Sequence, residues 1–245
     1  MFAQETIETT LIKDTKLDAE TLVDANYFGS SFYINNNIFY KTTEDKSINY
    51  NNLQLGTLTS ANTFNPLKIN LFYKDFNTAI ILDNRLSEIF RIDFNAIKNY
   101  KNVSHISTGH DNTLWIFNQD SQQLELFDYK TNTSRSQAQP VQSAVLDLKS
   151  NYNYCWLLTK NYLYTYNYFG SLIKKTPNDS YMELAASNEN LILKKDNALF
   201  YLSKTATQPV RINLPNLLIN QFFVTNETLY IYNQKTIQEF QLITN

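Results

Sequence analysis

An all-β fold is predicted by three observations. Aromatic-rich strand pairs recur along the chain at steps of 35 to 47 residues, 17 Tyr and 16 Phe stand against only four Gly and five Pro, and strand-like remnants without a unit of their own lie near both ends. A period near 40 residues with four strands per unit is that of a propeller blade. The prediction is a six-bladed β-propeller of four-stranded antiparallel blades, with an N-terminal strand closing the last blade.

The chain enters through "ETIETTLIKDTKL" (5–17), strand-like but outside any unit. The first unit reads "ANYFGS" (25–30) as its first strand and "SFYINNNIFYK" (31–41) as the next pair. The second reads "INLFYKDF" (69–76), then "AIILDNRLSEIFRIDF" (79–94). "VSHISTGHD" precedes "LWIFNQDSQQLELFDY", "AVLDLKS" precedes "CWLLTKNYLYTYNY", "YMELAAS" precedes "LILKKDNALFYLSK", and "INQFFVT" precedes "LYIYNQKTIQEFQL". Taking Tyr33, Ile80, Trp115, Trp156, Ile192 and Tyr230 as equivalent, the steps are 47, 35, 41, 36 and 38 residues. More polar fourth strands follow, such as "SLIKKT" and "PVRINL", because the outermost strand of a blade faces water while inner strands lie between neighbours. The sixth unit offers only three strands, so residues 5–16 are expected to supply its fourth and to cover an otherwise open sheet edge. The long first step, with "LQLGTLTSANTFNPLKINLF" inside it, leaves a seventh blade open, and a β-sandwich is the alternative fold.

Aromatic residues favour strands because their rings fit a pleated, half-buried surface. With so few glycines, turns must use Asn, which tolerates positive φ better than most residues, as at Asn35-Asn36-Asn37 and Asn51-Asn52. Alternation puts Tyr162, Tyr164, Tyr166 and Tyr168 on one strand face, with Tyr152, Tyr154 and Trp156 alternating likewise. Such a face can stack sugars or a partner, but packing between blades is the leading reading, since Trp115 and Trp156 hold equivalent places in successive units.

At 245 residues and 43% hydrophobic content the chain can fill a large core, and residues 5–245 are read as one propeller domain. The 21 Lys plus Arg against 23 Asp plus Glu give a net charge of −2, which supplies no electrostatic reason for nucleic acid or an anionic membrane. No run approaches the roughly 18 consecutive apolar residues of a membrane span. "MFAQETIE" looks like the end of a secretory signal peptide, with residues 1–4 as its residual tail.

"LELFDYKTN" and "LYTYNYFGSLI" resemble the strand, Asp or Asn, turn, strand phrase common to many propellers. Trp-Asp repeats, kelch-type Gly pairs and Asp-boxes are missing. The Asn, Lys and Tyr-rich composition and the "FAQ" start resemble exported envelope propellers of gliding and type IX secreting bacteria. That resemblance implies a location in the periplasm or on the surface of a Gram-negative cell, and a role as an accessory or partner-binding subunit.

Reactive groups are sparse. His105 and His110, five apart in "VSHISTGHD", point to opposite faces of a continuous strand and cannot share a metal there. Cys155 lies in an apolar run and reads as an inert core thiol. No nucleophile elbow is present and the four glycines lie far apart, so no phosphate loop and no cofactor is expected. The loops joining second to third strands are expected to gather Arg85, Asp120, Lys160, Lys194, Lys195 and Lys235 on one side of the disc. This mostly basic rim, chiefly Arg85, Lys160, Lys194, Lys195 and Lys235, is the candidate docking surface for another envelope protein. The alternative is a carbohydrate-binding protein, or a glycan lyase or hydrolase, in the central funnel. It would use Asp83, Glu88 and Asp120, each placed beside a second-to-third-strand loop, and needs two carboxylates at a defined separation.

Overall fold

A computed structural model describes residues 6–25, 30–233 and 235–244, and their strands assemble into six four-stranded antiparallel sheets arranged as a propeller. β1 (Glu8–Lys16) comes first in the chain and last in the ring. Blade 1 is β2 (Thr21–Ala25), β3 (Ser31–Asn35), β4 (Ile38–Thr42) and β5 (Ser47–Tyr50). Blade 2 is β6 (Ser60–Asn62), β7 (Ile69–Tyr73), β8 (Thr78–Leu82) and β9 (Glu88–Asp93). Blade 3 is β10 (Val103–Thr108), β11 (Thr113–Asn118), β12 (Gln123–Asp128) and β13 (Thr133–Gln137). Blade 4 is β14 (Val145–Ser150), β15 (Tyr154–Thr159), β16 (Tyr162–Asn167) and β17 (Leu172–Pro177). Blade 5 is β18 (Glu183–Ser187), β19 (Asn190–Lys195), β20 (Ala198–Leu202) and the two-residue β21 (Val210–Arg211). Blade 6 is β22 (Gln221–Thr225), β23 (Thr228–Tyr232) and β24 (Thr236–Ile243), and its sheet order is β1-β24-β23-β22. The N-terminal strand therefore closes the sixth blade, with Glu8 opposite Ile243 at one end and Lys16 opposite Thr236 at the other.

The core is a ring of six apolar interfaces between blades. Side chains alternate across each strand, so Leu114 and Ile116 of β11 pack with Phe72 and Ile81 of blade 2, while Trp115 and Phe117 pack with Cys155 and Leu157 of blade 4. Both faces of the middle strands are covered, which is why they read as unbroken apolar runs rather than as alternation. Tyr164 and Tyr166 are buried against blade 3, whereas Trp156 packs toward blade 5. The tyrosine-rich strands of blade 4 are thus inter-blade packing along their length. Cys155 is buried and free, and burial pushes its thiol pKa well up.

Asn takes over the work of glycine in the turns: six of the eleven non-glycine residues with positive φ among those described are Asn, including Asn36 and Asn37. A second device recurs at strand ends, where an Asn or Asp side chain accepts the amide two residues on, as at Asn62, Asp83, Asn118, Asp128, Asn151 and Asn167.

Two sequence assignments are corrected. "INLFYKDF" is the second strand of blade 2, and its first strand is the short, polar "SAN" that no apolar pattern marks. The residue equivalent to Tyr33 is Leu71, not Ile80, so the first two steps become 38 and 44 residues, and no room remains for a seventh blade. The inner strand of blade 1 is "TLVDA", one strand-length before the expected "ANYFGS", of which residues 26–29 lie outside the described residues. The proposed signal-peptide tail, residues 1–4, also lies outside them.

Candidate functional site

Ring topology sorts the loops onto two faces. First-to-second and third-to-fourth strand loops emerge on one, here the upper face, and second-to-third loops and blade-to-blade connections on the other. On the upper face, loops of blades 2 and 4, on either side of blade 3, raise a group of large apolar side chains. Phe64 and Leu67 come from the β6–β7 loop, Tyr152 from β14–β15, and Tyr168 and Phe169 from β16–β17. Their exposures, 44%, 63%, 47%, 40% and 64%, are high for side chains of this kind.

The rings meet in two groups, each of which spans two blades. Phe64 and Tyr152 meet edge to face at 4.8 Å, Tyr168 lies 3.9 Å from Phe169, and the His110 ring of the β10–β11 loop meets Tyr168 at 5.6 Å. Lys68 ties the blade 2 loop to the blade 3 loop by donating to the Asp111 carbonyl. Each loop is held by its own Asx turn: Asn62 accepts from Phe64 N at 3.2 Å, Asn65 from Leu67 N at 3.0 Å, Asn151 from Asn153 N at 2.8 Å, and Asn167 from Phe169 N at 3.1 Å. Gly170, at φ 90°, closes the last of these turns, and a Cβ there would lie 2.2 Å from Ser136 Oγ of blade 3. Beneath the rings a hydrogen-bonded chain crosses the same three blades. Asn70 Nδ2 donates to Thr108 Oγ1, which donates to Asn62 Oδ1, both at 2.8 Å. Asn62 Nδ2 donates to Ser107 Oγ at 3.3 Å, and Ser150 Oγ donates to the same Ser107 at 2.7 Å. The aromatic group therefore sits on a braced support.

A central cavity of about 360 Å³ opens beside Phe64 and is lined by Asp24, Thr63, Lys149, Ser150, Glu183 and Gln221 among others. Asp24 accepts a hydrogen bond from Thr63 Oγ1 at 2.7 Å, and burial pushes its carboxyl up to about 6. Glu183 is bound to Lys194 at 2.6 Å, and Lys149 to Asp147 at 3.4 Å.

The expected basic rim is only partly assembled. Lys160 and Lys235 stand exposed on the lower face, in the β15–β16 and β23–β24 turns. Lys194 and Lys195 end β19 on that side but are held within the molecule, by Glu183 at 2.6 Å and by Asp179 at 3.1 Å. Arg85 lies in the β8–β9 loop on the upper face, because blade 2 was read one strand out of step. The same slip misplaces Asp83 and Glu88, which flank that third-to-fourth-strand loop; only Asp120 lies in a second-to-third loop. None of the three lines the central cavity. Asp83 caps its own turn, Glu88 is clasped by Arg91 at 2.9 Å, which holds its pKa below the usual range, and Asp120 accepts from Asn102 at 2.8 Å. His105 and His110 do not converge either: His105 shares a hydrogen bond with Ser104 at 2.8 Å, and burial lowers its pKa. Among the described residues no three His, Cys, Asp or Glu side chains gather as a metal site, and no helix is long and apolar enough to cross a membrane.

The aromatic group was legible only in part. Tyr152 and Tyr168 stood out as the ends of alternating tyrosine runs, but nothing in sequence brings Phe64 to Tyr152, 88 positions away.

Comparison with solved structures finds this ring in proteins of very different sequence. A catalytically inactive histidine-to-alanine variant of virginiamycin B lyase from Staphylococcus aureus, determined with quinupristin, matches over 94% of this chain and 99% of its own, with 12% identity and a TM-score of 0.61. PorZ, described as an essential bacterial surface component of the type IX secretion system of Porphyromonas gingivalis, matches over 90% of this chain and 32% of its own, with 14% identity and a TM-score of 0.56. The WD40 domain of Neurospora crassa Pan2 matches over 93% of this chain and 76% of its own, with 8% identity and a TM-score of 0.60. These likenesses show the fold alone. No family model matches the sequence, and no curated protein matches it.

Proposed function

We propose that this propeller is a non-catalytic recognition module that docks another protein of the bacterial cell envelope through the aromatic upper face of blades 2 to 4. It works in the periplasm or on the surface of a Gram-negative cell, as an accessory subunit of secretion machinery. The observation that carries the reading is the exposed, braced group of Phe64, Leu67, Tyr152, Tyr168 and Phe169. Exposed apolar side chains grouped on one face mark interaction sites on soluble proteins, and aromatic side chains are the usual anchors of protein interfaces. Rings held in place before binding lose little freedom when a partner arrives. The PorZ likeness, to a surface component of a secretion system, supports the setting.

A glycan is the second reading, favoured by the exposed ring faces of Phe64, Tyr152, Tyr168 and Phe169, which can stack sugars. The lyase likeness is one of fold alone and adds no chemistry to either reading.

The test is capture of the tagged protein from its native cells after mild crosslinking, with two triple variants alongside. Phe64→Ser, Tyr152→Ser and Phe169→Ser together are expected to abolish recovery of the partner, while Lys160→Glu, Lys195→Glu and Lys235→Glu leave it unchanged. Equal recovery with the aromatic variant would overturn the assignment.

A further inference from the structure

The outer strand of blade 5 has only two residues, whereas those of the other blades have four to nine. Pro209 explains the truncation. It precedes Val210, the last partner of β20, and a proline has no N–H to extend the ladder. Residues 203–209 form an irregular loop that reaches blade 4 at one point, Ala206, and on either side of that point the crevice between blades 4 and 5 stays open. Two cavities fill that crevice, about 170 Å³ on the Glu189 and Lys204 side and about 500 Å³ on the Asp179 and Pro209 side. They share Leu163, Lys174, Thr176 and Leu202, so they form one groove divided at Lys174. Trp156, Leu191, Leu193 and Phe200 give it apolar wall, and Thr176, Asn178 and Gln208 give it polar wall.

Lys174 is the distinctive group. Its Nζ donates to the Ala206 carbonyl at 3.2 Å, and among the described residues no carboxylate lies within ion-pair distance of it. The cations at the two ends are matched: Lys204 faces Glu189 at 3.8 Å, and Lys195 faces Asp179 at 3.1 Å. A half-buried cation with no carboxylate partner favours a ligand that brings one to that point.

We propose that this groove binds an extended peptide segment of a partner, with an Asp or Glu set between apolar residues. The shape selects among anionic ligands. The groove runs beside the six-residue β17, a length of roughly 20 Å that fits five or six extended residues. Lys174 lies at its middle, where a peptide side chain can place a carboxylate; a fatty acid carries its carboxylate at one end. The proposal is independent of the aromatic face, on the opposite side of blade 4 from this crevice's outer opening.

The test uses two pools of fluorescein-labelled synthetic hexapeptides, in which a central Asp or a central Lys is flanked by Leu, Ile, Val or Phe, with octanoate as a third probe. Binding is followed by fluorescence anisotropy and located by amide hydrogen exchange. The Asp pool is expected to bind and to slow exchange in Leu172–Pro177 and Ala198–Leu202. Lys174→Glu should weaken that binding by about tenfold or more, and Lys174→Gln by less, as expected for loss rather than reversal of a charge. The thermal midpoints of both variants show that the blade remains folded. Equal binding of the two pools, indifference to Lys174→Glu, protection confined to the aromatic loops, or protection of the groove by octanoate without peptide binding would each overturn the proposal.

Discussion

Glu125 occupies the middle of the apolar strand β12, a place where a sequence pattern assigns a polar side chain to solvent, yet it is wholly buried. Burial raises its pKa, but hydrogen bonds from Lys101 at 2.6 Å, Ser134, Asn118 at 3.1 Å and Gln137 at 3.3 Å outweigh that and hold it below the usual range. Lys101 lies in the connection between blades 2 and 3 and is itself buried, so nothing in "NAIKNYKN" marks it as a structural cation. Lys101→Met is expected to cost about 3–5 kcal/mol in denaturant unfolding, because it leaves an uncompensated buried carboxylate. A loss below about 1 kcal/mol, the worth of an exposed pair, would contradict this. Asp24 behaves in the opposite sense. Its folded pKa of about 6 lies above the ordinary 3.8, so its stabilising contribution is full below pH 3.8 and is lost as pH rises through 6. Asp24→Asn should therefore stabilise the protein by about 2–3 kcal/mol above pH 7 and by little near pH 3.5. Equal gains at both pH values would show that desolvation of the charge is not the cause. Neither residue's environment was legible in the sequence, since Glu125 is held by adjacent strands of its own blade and by Lys101 of the preceding connection, and Asp24 by Thr63 beside the first strand of blade 2.

Whole elements were far more legible than the partners of single residues. The strand pairs of blades 3 to 6 stood out because their second strands are covered on both faces and carry mostly apolar side chains, while Asn and Asp mark many of their turns. Blade 2 was misread by one strand because β6 is only three residues of "SAN", and because β7 and β8, joined through a short 3-10 turn at Lys74–Phe76, are both entirely buried. The same slip sent Arg85, Asp83 and Glu88 to the wrong face. β1 was placed correctly from the mismatch between an unpaired start and a three-stranded end. It pairs along the length of β24, and the Tyr232 hydroxyl fixes the turn that follows it by donating to the Ala19 carbonyl at 2.8 Å. Deleting residues 5–16 exposes the β24 edge and removes the link between the ends of the ring. It is expected to lower the thermal midpoint by at least about 10 °C, on the scale of 2–4 °C per kcal/mol for a chain of this size. An unchanged midpoint would mean that the ring does not depend on its closing strand.

At the scale of the molecule, the repeat is the reason function was hard to read. A propeller brings together loops that are about 40 residues or more apart in sequence, so Phe64 meets Tyr152, and His110 meets Tyr168, only once the ring exists. Charge, by contrast, is visible residue by residue, and it drew attention to lysines on the lower face. Two of those, Lys194 and Lys195, are held by Glu183 and Asp179, whereas the upper face of blades 2 to 4 carries a group of exposed aromatic rings. The most direct test places the photo-crosslinker benzoylphenylalanine at position 169 on the upper face, and separately at position 160 on the lower face, in the protein expressed in its native cells. Irradiation is predicted to give a discrete protein adduct from position 169 and none from position 160. An adduct from position 160 alone, or from neither position, would contradict docking through the aromatic face.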